Sequence, residues 1–444
     1  MNKVKKVAFY TLGCKVNQYE TEAMLEMFKK DGYEQVDSED YADVYVINTC
    51  TVTHMSDRKS RQYIRRMKKK NPNAIIAVVG CYSQVSPEEI LEIEEVNLVM
   101  GTNERRTIVD EIKKLEAVNG AKKASTVDDI MKVRAFEEIE ISQSNGRTRA
   151  FMKIQDGCDR FCTYCIIPYA RGGKVRSRDI ESIVNEAKTL AENGYKEVVL
   201  TGIHVASYGK DLRESNLKLL DVIKRINEID GIERIRTSSV EPILFTDEFV
   251  SEVSKMEKVC HHYHLSLQSG CDETLKRMNR RYTTEEYKAI VDKLREKIPN
   301  VAITTDVIVG FPGETNDEFN KTYEFLRDIE LPQMHVFKYS PRKGTPAATM
   351  ENQIDPQIKQ FRSEQLIALS KSNFNKFASK FVNSEMDVLF ETNVSDNKFE
   401  GLTPNYIRVV VESNKDIHGQ LLKVKITDVK DEYVVGILVL VVEI

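Results

Sequence analysis

Three strand-length apolar runs near the start of the chain, VAFYTLGC, DVYVINTC and IIAVVGC, each close on a cysteine: Cys14, Cys50 and Cys81. Each run is followed by a stretch of helical composition, and strands alternating with helices imply a parallel sheet. In such a sheet the carboxyl ends of the strands lie along one edge, where ligands bind. Three cysteines 36 and 31 residues apart are thereby expected to meet in space. Three unrelated core thiols are the plainer alternative, since free cysteine is often buried. The repeated placement at a strand end favours a shared ligand.

The rest of the chain sets bounds on that ligand. At 444 residues, two to four domains are expected. Hydrophobic residues at 41% and charged residues at 30% exclude wholesale disorder. The 65 basic and 69 acidic residues nearly cancel, at a net charge of −4, so any nucleic-acid surface must be local. The opening MNKVKKVAFYTLGCKVNQ lacks the features of a secretory signal. No run reaches the ~20 apolar residues that span a bilayer, and VVGILVLVV near the end reads as strand. A cytoplasmic protein without a membrane partner is expected, in which the eight cysteines stay reduced.

An α/β domain is expected over residues 1–115, then a polar linker or covering excursion over 116–146 (VNGAKKASTVDD, ISQSNG). A second alternation follows over 147–375, with strands at Ala150–Gln155, Glu197–Thr201, Arg234–Ser238, Tyr263–Leu267, Ala302–Val309 and His335–Tyr339. Six such units suggest a partial (β/α)6, TIM-like barrel, with chemistry at the carboxyl ends of its strands. A linking helix runs from Pro356 to about Ala378. In the last part, 376–444, the runs MDVLFET, YIRVVVE, LLKVKITDV and YVVGILVLVVE predict a small antiparallel β-barrel.

Cys158, Cys162 and Cys165 form a tight C-x-x-x-C-x-x-C loop after the first barrel strand. A structural zinc site wants four protein ligands, and no nearby Cys or His pair completes the set. A four-iron cluster held by three thiolates fits better and leaves one iron open to a small molecule.

This loop, with Tyr164 just before its last cysteine, resembles that of the radical S-adenosylmethionine enzymes. TLGCKVNQYETE, VINTCTVT, VVGCYSQ and IQDGCDRFCTYCIIPYARG together resemble the methylthiotransferases over essentially the whole chain. NTCTVT and TGIHVASYGKDL look most like the branch acting on N6-threonylcarbamoyladenosine beside the tRNA anticodon.

The resemblance implies two 4Fe–4S clusters. The one on Cys158, Cys162 and Cys165 binds S-adenosylmethionine and generates a radical, and the auxiliary one on Cys14, Cys50 and Cys81 presents sulfur. It implies a C-terminal TRAM barrel, a tRNA substrate, a sulfur donor and a low-potential electron donor of the flavodoxin or ferredoxin type. Around the cofactor, Tyr164, Thr201, Gly202, Glu241, Gln268 and Arg281 are the expected contacts. Glu241 suits ribose hydroxyls, Arg281 the methionyl carboxylate, and the glycine-rich 310–314 segment the adenine.

Residues 56–70 hold eight Lys or Arg against one Asp, shortly after Cys50. Arg58, Lys59, Arg61, Arg65 and Arg66 there are expected to meet RNA phosphates, as are Arg176 and Arg178 in the run Arg171, Lys174, Arg176, Arg178. A solvated helix face is the alternative. From Lys376 onward eight basic residues face eleven acidic ones, an unfavourable balance for a domain expected to hold tRNA. His204, His261, His262 and His264, with Cys260 and Cys271, are read as core or surface residues, because alternate strand residues point to opposite faces. Alternatives to the leading function are a methylthiotransferase acting on isopentenyladenosine or on a ribosomal-protein aspartate, and a non-catalytic iron–sulfur RNA-binding factor.

Overall fold

The computed structural model describes residues 4–52, 54–118, 122–141, 148–212 and 214–439. The ends of the expected linker, at 119–121 and 142–147, lie outside the described residues, as do the last residues of YVVGILVLVVE. The fold is α/β in three parts.

The first part runs β1 (Lys6–Thr11), α1 (Lys15–Lys30), β2 (Glu34–Val36), β3 (Val44–Thr49), α2 (His54–Lys70), β4 (Ile75–Gly80), α3 (Cys81–Val85), α4 (Pro87–Leu91), β5 (Leu98–Met100), α5 (Ile108–Glu116) and β6 (Ala124–Thr126). All neighbours pair in parallel, in the order β2-β1-β3-β4-β5-β6. Both sheet faces are covered, which is why the strands read as unbroken apolar runs. Val44, Val46, Ala77 and Val79 face α1 and α5, whereas Tyr45, Ile47, Ile76 and Val78 face α2. The strand order reverses between β1 and β3, the place where a doubly wound sheet opens a ligand crevice.

The second part runs β7 (Arg149–Asp156), α6 (Ile167–Arg171), β8 (Arg176–Ser177), α7 (Ile180–Glu192), β9 (Glu197–Gly202), α8 (Leu219–Asn227), β10 (Arg234–Thr237), α9 (Asp247–Val253), β11 (His262–His264), α10 (Asp272–Arg277), α11 (Thr284–Lys297), β12 (Ala302–Val309), α12 (Asn316–Ile329) and β13 (Gln333–Lys338). β7, β9 and β10 pair in parallel, as do β11, β12 and β13. Single bridges Ile235↔Val259 and Val240↔Leu265 join the two groups into the expected six-stranded partial barrel. Ala150, Met152, Val198 and Leu200 pack outward under α7 and α8. Phe151 and Val199, on the other face of the same strands, receive Tyr19 and Ala23 of α1.

A long helix, α13 (Pro356–Ala378), leads to the strands β14 (Glu385–Ser395), β15 (Lys398–Leu402), β16 (Arg408–Glu412), β17 (Leu421–Val429) and β18 (Val434–Leu438). They close in the order β14-β15-β16-β18-β17. One pairing departs from the antiparallel expectation: β16 and β18 run parallel. The barrel docks at the amino ends of β7, β9 and β10. There Arg234 donates to the carbonyls of Leu402 and Asp387, each at 2.8 Å, and Tyr406 stacks on His262 at 4.2 Å.

The structure adds β2, β5, β6, β8 and β15 to the strands read from sequence. The first four span two or three residues, too few to show a period, and β15 is the glycine-containing KFEGL. β6 lies inside the 116–146 segment, which therefore completes the first sheet as well as joining two parts.

Candidate active site between two cysteine sets

Cys14 follows β1, Cys50 follows β3 and Cys81 follows β4, so adjacent parallel strands deliver all three to one sheet edge. The crevice is braced by amides. Asn17 donates to Leu12 O at 2.8 Å and Thr49 O at 2.9 Å, and Asn48 donates to Asn17 O at 2.9 Å. Gly80 sits at φ +99°, where a Cβ would fall 2.5 Å from Asn48 Oδ1 and 2.6 Å from Thr49 O. The backbone turns into Cys81 there in a conformation that glycine alone takes without strain.

The second set lies at the carboxyl end of β7. Asp156 is its last residue, and Gly157, at φ +74°, opens a loop pressed against Lys174 O. The loop is pinned to the end of α10 and the residues after it: Thr163 Oγ1 donates to Arg277 O at 2.8 Å, and Asn279 donates to Phe161 O at 3.1 Å. Arg280 Nη1 lies 3.3 Å from Cys162 Sγ and 3.0 Å from Glu241 Oε1. Glu241 Oε2 meets His204 Nε2 at 2.9 Å and Arg160 Nε at 2.8 Å. Burial pushes the Glu241 carboxyl upward, but the His204 hydrogen bond and the Arg280 and Arg160 charges prevail and hold it at about 2.

A buried charge network joins the two sets. Arg171 ends the helix that begins two residues after Cys165. Its Nε lies 3.2 Å from Cys81 Sγ and its Nη2 donates to Asn17 Oδ1 at 2.6 Å. Its Nη1 meets Glu20 at 2.5 Å, and Glu20 also pairs with Lys153 at 2.8 Å and Arg105 at 2.6 Å, all fully buried. Farther round, Arg342 Nη2 donates to Thr51 Oγ1 at 2.5 Å and Asp57 Oδ2 at 2.7 Å, tying the loop after β13 to the residues after Cys50.

Several expected contacts sit elsewhere. Arg281 is exposed, and its neighbour Arg280 faces Cys162. Glu241 is taken up by two arginines and a histidine instead of standing free for hydroxyls. Thr201 and Gly202 end β9, and Gln268 holds a strained backbone at φ +72°. Tyr164 packs edge-on against Phe311, 6.5 Å away. Glu314 braces its own turn, accepting from Gly310 N at 2.7 Å and Arg362 at 2.6 Å.

Among the basic residues, Arg58, Lys59 and Arg65 are exposed on α2. Arg61 pairs with Glu89 and Arg66 with Glu39 on the surface. Arg176 and Arg178 lack the surface exposure expected of phosphate contacts: both are buried, Arg176 donating to Arg171 O at 2.9 Å and Arg178 pairing with Glu186 at 2.5 Å. Of that run only Lys174 is exposed.

The histidines have separate tasks. His262 and His264 share one face after all, being two residues apart, and both bond Thr304 Oγ1 at 3.0 Å. Cys271 donates to Glu273 at 2.9 Å.

Glu20, Arg171, Arg160, Arg280 and Arg342 were not singled out for these contacts by sequence. The only local hint was Arg171 six residues beyond Cys165.

The donor chemistry fits iron. Among the described residues no three His, Cys, Asp or Glu side chains close on one point as a single ion requires. Thiolates of a four-iron cluster each take a different iron and stand farther apart. Burial first, then the neighbouring thiols, pushes Cys50 and Cys165 up to about 12, and burial does the same for Cys158. Metal binding would displace those protons, with Arg171 and Arg280 as cations already beside one sulfur of each set.

Residues 152–326 match the Radical SAM superfamily, and residues 6–101 match the uncharacterized protein family UPF0004. The threonylcarbamoyladenosine tRNA methylthiotransferase MtaB of Bacillus subtilis is 46% identical over 98% of this chain and 97% of that protein. The Aquifex aeolicus protein of the same name is 41% identical over 95% and 100%. The tRNA-2-methylthio-N(6)-dimethylallyladenosine synthase of Clostridium tetani is 37% identical over 96% and 95%. Among solved structures, the radical S-adenosylmethionine methyltransferase TsrM of Kitasatospora setae superposes with a TM-score of 0.57, covering 83% of this chain and 89% of that one at 13% identity. At that identity the likeness concerns the fold.

Proposed function

Because the chain belongs to the radical S-adenosylmethionine methylthiotransferases, we propose that it converts N6-threonylcarbamoyladenosine beside the tRNA anticodon to its 2-methylthio derivative. The observation that carries this reading is the juxtaposition of two three-cysteine sets, with Arg171 Nε 3.2 Å from Cys81 while its helix starts just after Cys165. Two of the proteins named for threonylcarbamoyladenosine, at 46% and 41%, stand above the 37% of the dimethylallyl enzyme, while a third, from Thermotoga maritima, stands level with it at 36%; the first two favour threonylcarbamoyladenosine.

Cys158, Cys162 and Cys165 hold one 4Fe–4S cluster, and Cys14, Cys50 and Cys81 the other. When bound, the clusters and S-adenosylmethionine supply what no side chain can: one-electron chemistry, sulfur and a methyl group. The chain's part is position and charge. Arg280 keeps a buried Nη2 beside Cys162 with no hydrogen-bond partner among the described residues, and we assign to it the methionyl carboxylate first expected at Arg281. Glu241 orients Arg280 and Arg160 there, and Thr201, Gly202 and Gln268 line the strand ends around them. A separate sulfur donor and a flavodoxin- or ferredoxin-type electron donor complete the reaction in the cytoplasm. No helix among the described residues is long and apolar enough to cross a membrane.

Nucleoside mass spectrometry of tRNA from cells with and without the protein tests the reading. The 2-methylthio form of threonylcarbamoyladenosine is expected to appear only with it. A gain on isopentenyladenosine would replace the substrate, and no change in any nucleoside would point to the ribosomal protein.

Exposed Arg58, Lys59 and Arg65 are the phosphate-binding residues on α2. Changing all three to Glu is expected to weaken tRNA binding. The slope of log affinity against log salt should become shallower by roughly 0.7–0.9 for each phosphate no longer neutralised. A salt titration of binding checks this, and an unchanged slope would make α2 a solvated face.

A further inference from the structure

The loop over residues 339–349 enters the space between the two cysteine sets. On one side Ala347 N donates to Thr163 O at 2.9 Å, inside the Cys162–Cys165 stretch. On the other, Arg342 Nη2 reaches Thr51, the residue after Cys50, and Asp57, in the first turn of α2. Arg342 is only 7% exposed, yet its Nε and Nη1 have no hydrogen-bond partner among the described residues. Nη2 serves both existing contacts, so the donors on the other two nitrogens are buried and unused. Buried donors of a charged group are costly to leave unmade, and a guanidinium is the side chain best shaped for carboxylate or phosphate oxygens.

Asp57 leaves room for a second anion. It lies at the positive end of α2, so the helix as well as Arg342 answers its charge. The approach is cationic too: Lys343, Arg58, Lys59 and Arg65 are exposed nearby in sequence on the same two elements.

Resting on the reading that a tRNA nucleotide is modified between the two cysteine sets, we propose that Arg342 receives an oxyanion of the substrate RNA at that point. The oxyanion is either a backbone phosphate beside the target adenosine or the carboxylate on its N6 substituent. Arg342 is then a binding residue that seats the base between the two centres.

The test uses the reconstituted full-length enzyme, as wild type, Arg342→Gln and Arg342→Lys. Binding is measured to two anticodon stem–loop RNAs, one carrying threonylcarbamoyladenosine and one plain adenosine at the same position. Iron content and the visible spectrum without RNA are the controls. Arg342→Gln is expected to bind at least about tenfold more weakly with iron unchanged, the size of one charge-assisted hydrogen bond. Weakening on both RNAs identifies the phosphate, and weakening on the modified RNA alone identifies the carboxylate.

Unchanged affinity for both RNAs overturns the proposal. So does a shifted cluster spectrum without RNA, which would make the cluster the acceptor. If Arg342→Gln loses iron, Arg342→Lys decides, since it keeps a cation against Asp57. Wild-type affinity for both RNAs in that variant, without the fork of donors, counts against the proposal, and severalfold weakening supports it. Failure of wild type to bind either RNA would instead sink the tRNA reading itself.

Discussion

Cys162→Ala is expected to reduce the formation of 5′-deoxyadenosine from S-adenosylmethionine to background, whereas Cys50→Ala is expected to retain it and to lose methylthiolated product. The two cysteines stand on different parts of the fold. Cys162 belongs to the loop after β7, pinned by Thr163 and Asn279 and touched by Arg280. Cys50 stands at the β1/β3 crevice, braced by Asn17 and Asn48. On the proposed assignment, removing one sulfur from either set would leave two thiolates for a cluster that three would hold. Chromatographic assay of 5′-deoxyadenosine and mass spectrometry of the tRNA nucleosides separate the two outcomes. Methylthiolated product from the Cys50 variant would end the division of labour between the sets.

Glu20→Ala is expected to destabilise the protein by about 3–5 kcal/mol, the cost of leaving buried charge without its partner. The side chain is fully buried and answers Arg105, Lys153 and Arg171 together. Asp156 and Glu137 remain near those cations, with Asp156 3.7 Å from Arg171 and Glu137 2.7 Å from Arg105, but neither touches all three. Glu20→Gln keeps the shape and loses the charge, so it should be damaged to a similar degree.

The same network has a pH signature. Burial favours the protonated carboxyl, but the Arg105, Arg171 and Lys153 charges outweigh it and hold Glu20 well below its ordinary 4.5. A depressed carboxyl contributes stability that is present above its unfolded value and lost as pH falls below it. Wild type should therefore lose stability from about pH 4.5 downward by more than either Glu20 variant does. Denaturant unfolding across that range measures it. Variants as stable as wild type at neutral pH would show that the network is incidental to the joint.

The strand-end cysteines were legible because parallel β-structure converts sequence position into a shared edge, whatever the distance along the chain. The same logic located β7, β9, β10, β12 and β13, whose apolar runs are long enough to show a pattern. It failed for β2, β5 and β6, where three residues carry no period and pairing is made by the backbone.

Side-chain partners were the least legible feature. Arg280 and Arg281 are adjacent, and only the local turn decides which one faces Cys162. Arg176 and Arg178 resembled a phosphate-binding run because sequence shows charge but not Glu186 or Asp156 folded against it. Nothing local marks Glu20, because its partners Lys153 and Arg171 come from beyond residue 150.

That last distance bears on how the protein is made. Glu20 and Arg171 are 151 residues apart, and a ribosome adds about 5–20 residues per second. Over the last 90 of those residues, from Cys81 to Arg171, roughly 5–18 s, Cys14, Cys50 and Cys81 have all emerged while Glu20 has Arg105 but not yet Arg171. During that interval the first sheet has its crevice but not the guanidinium that closes on Cys81. Iron offered early would meet an unfinished cradle, so the order of events favours loading this set after the barrel's first strand and the helix behind Cys165 have docked.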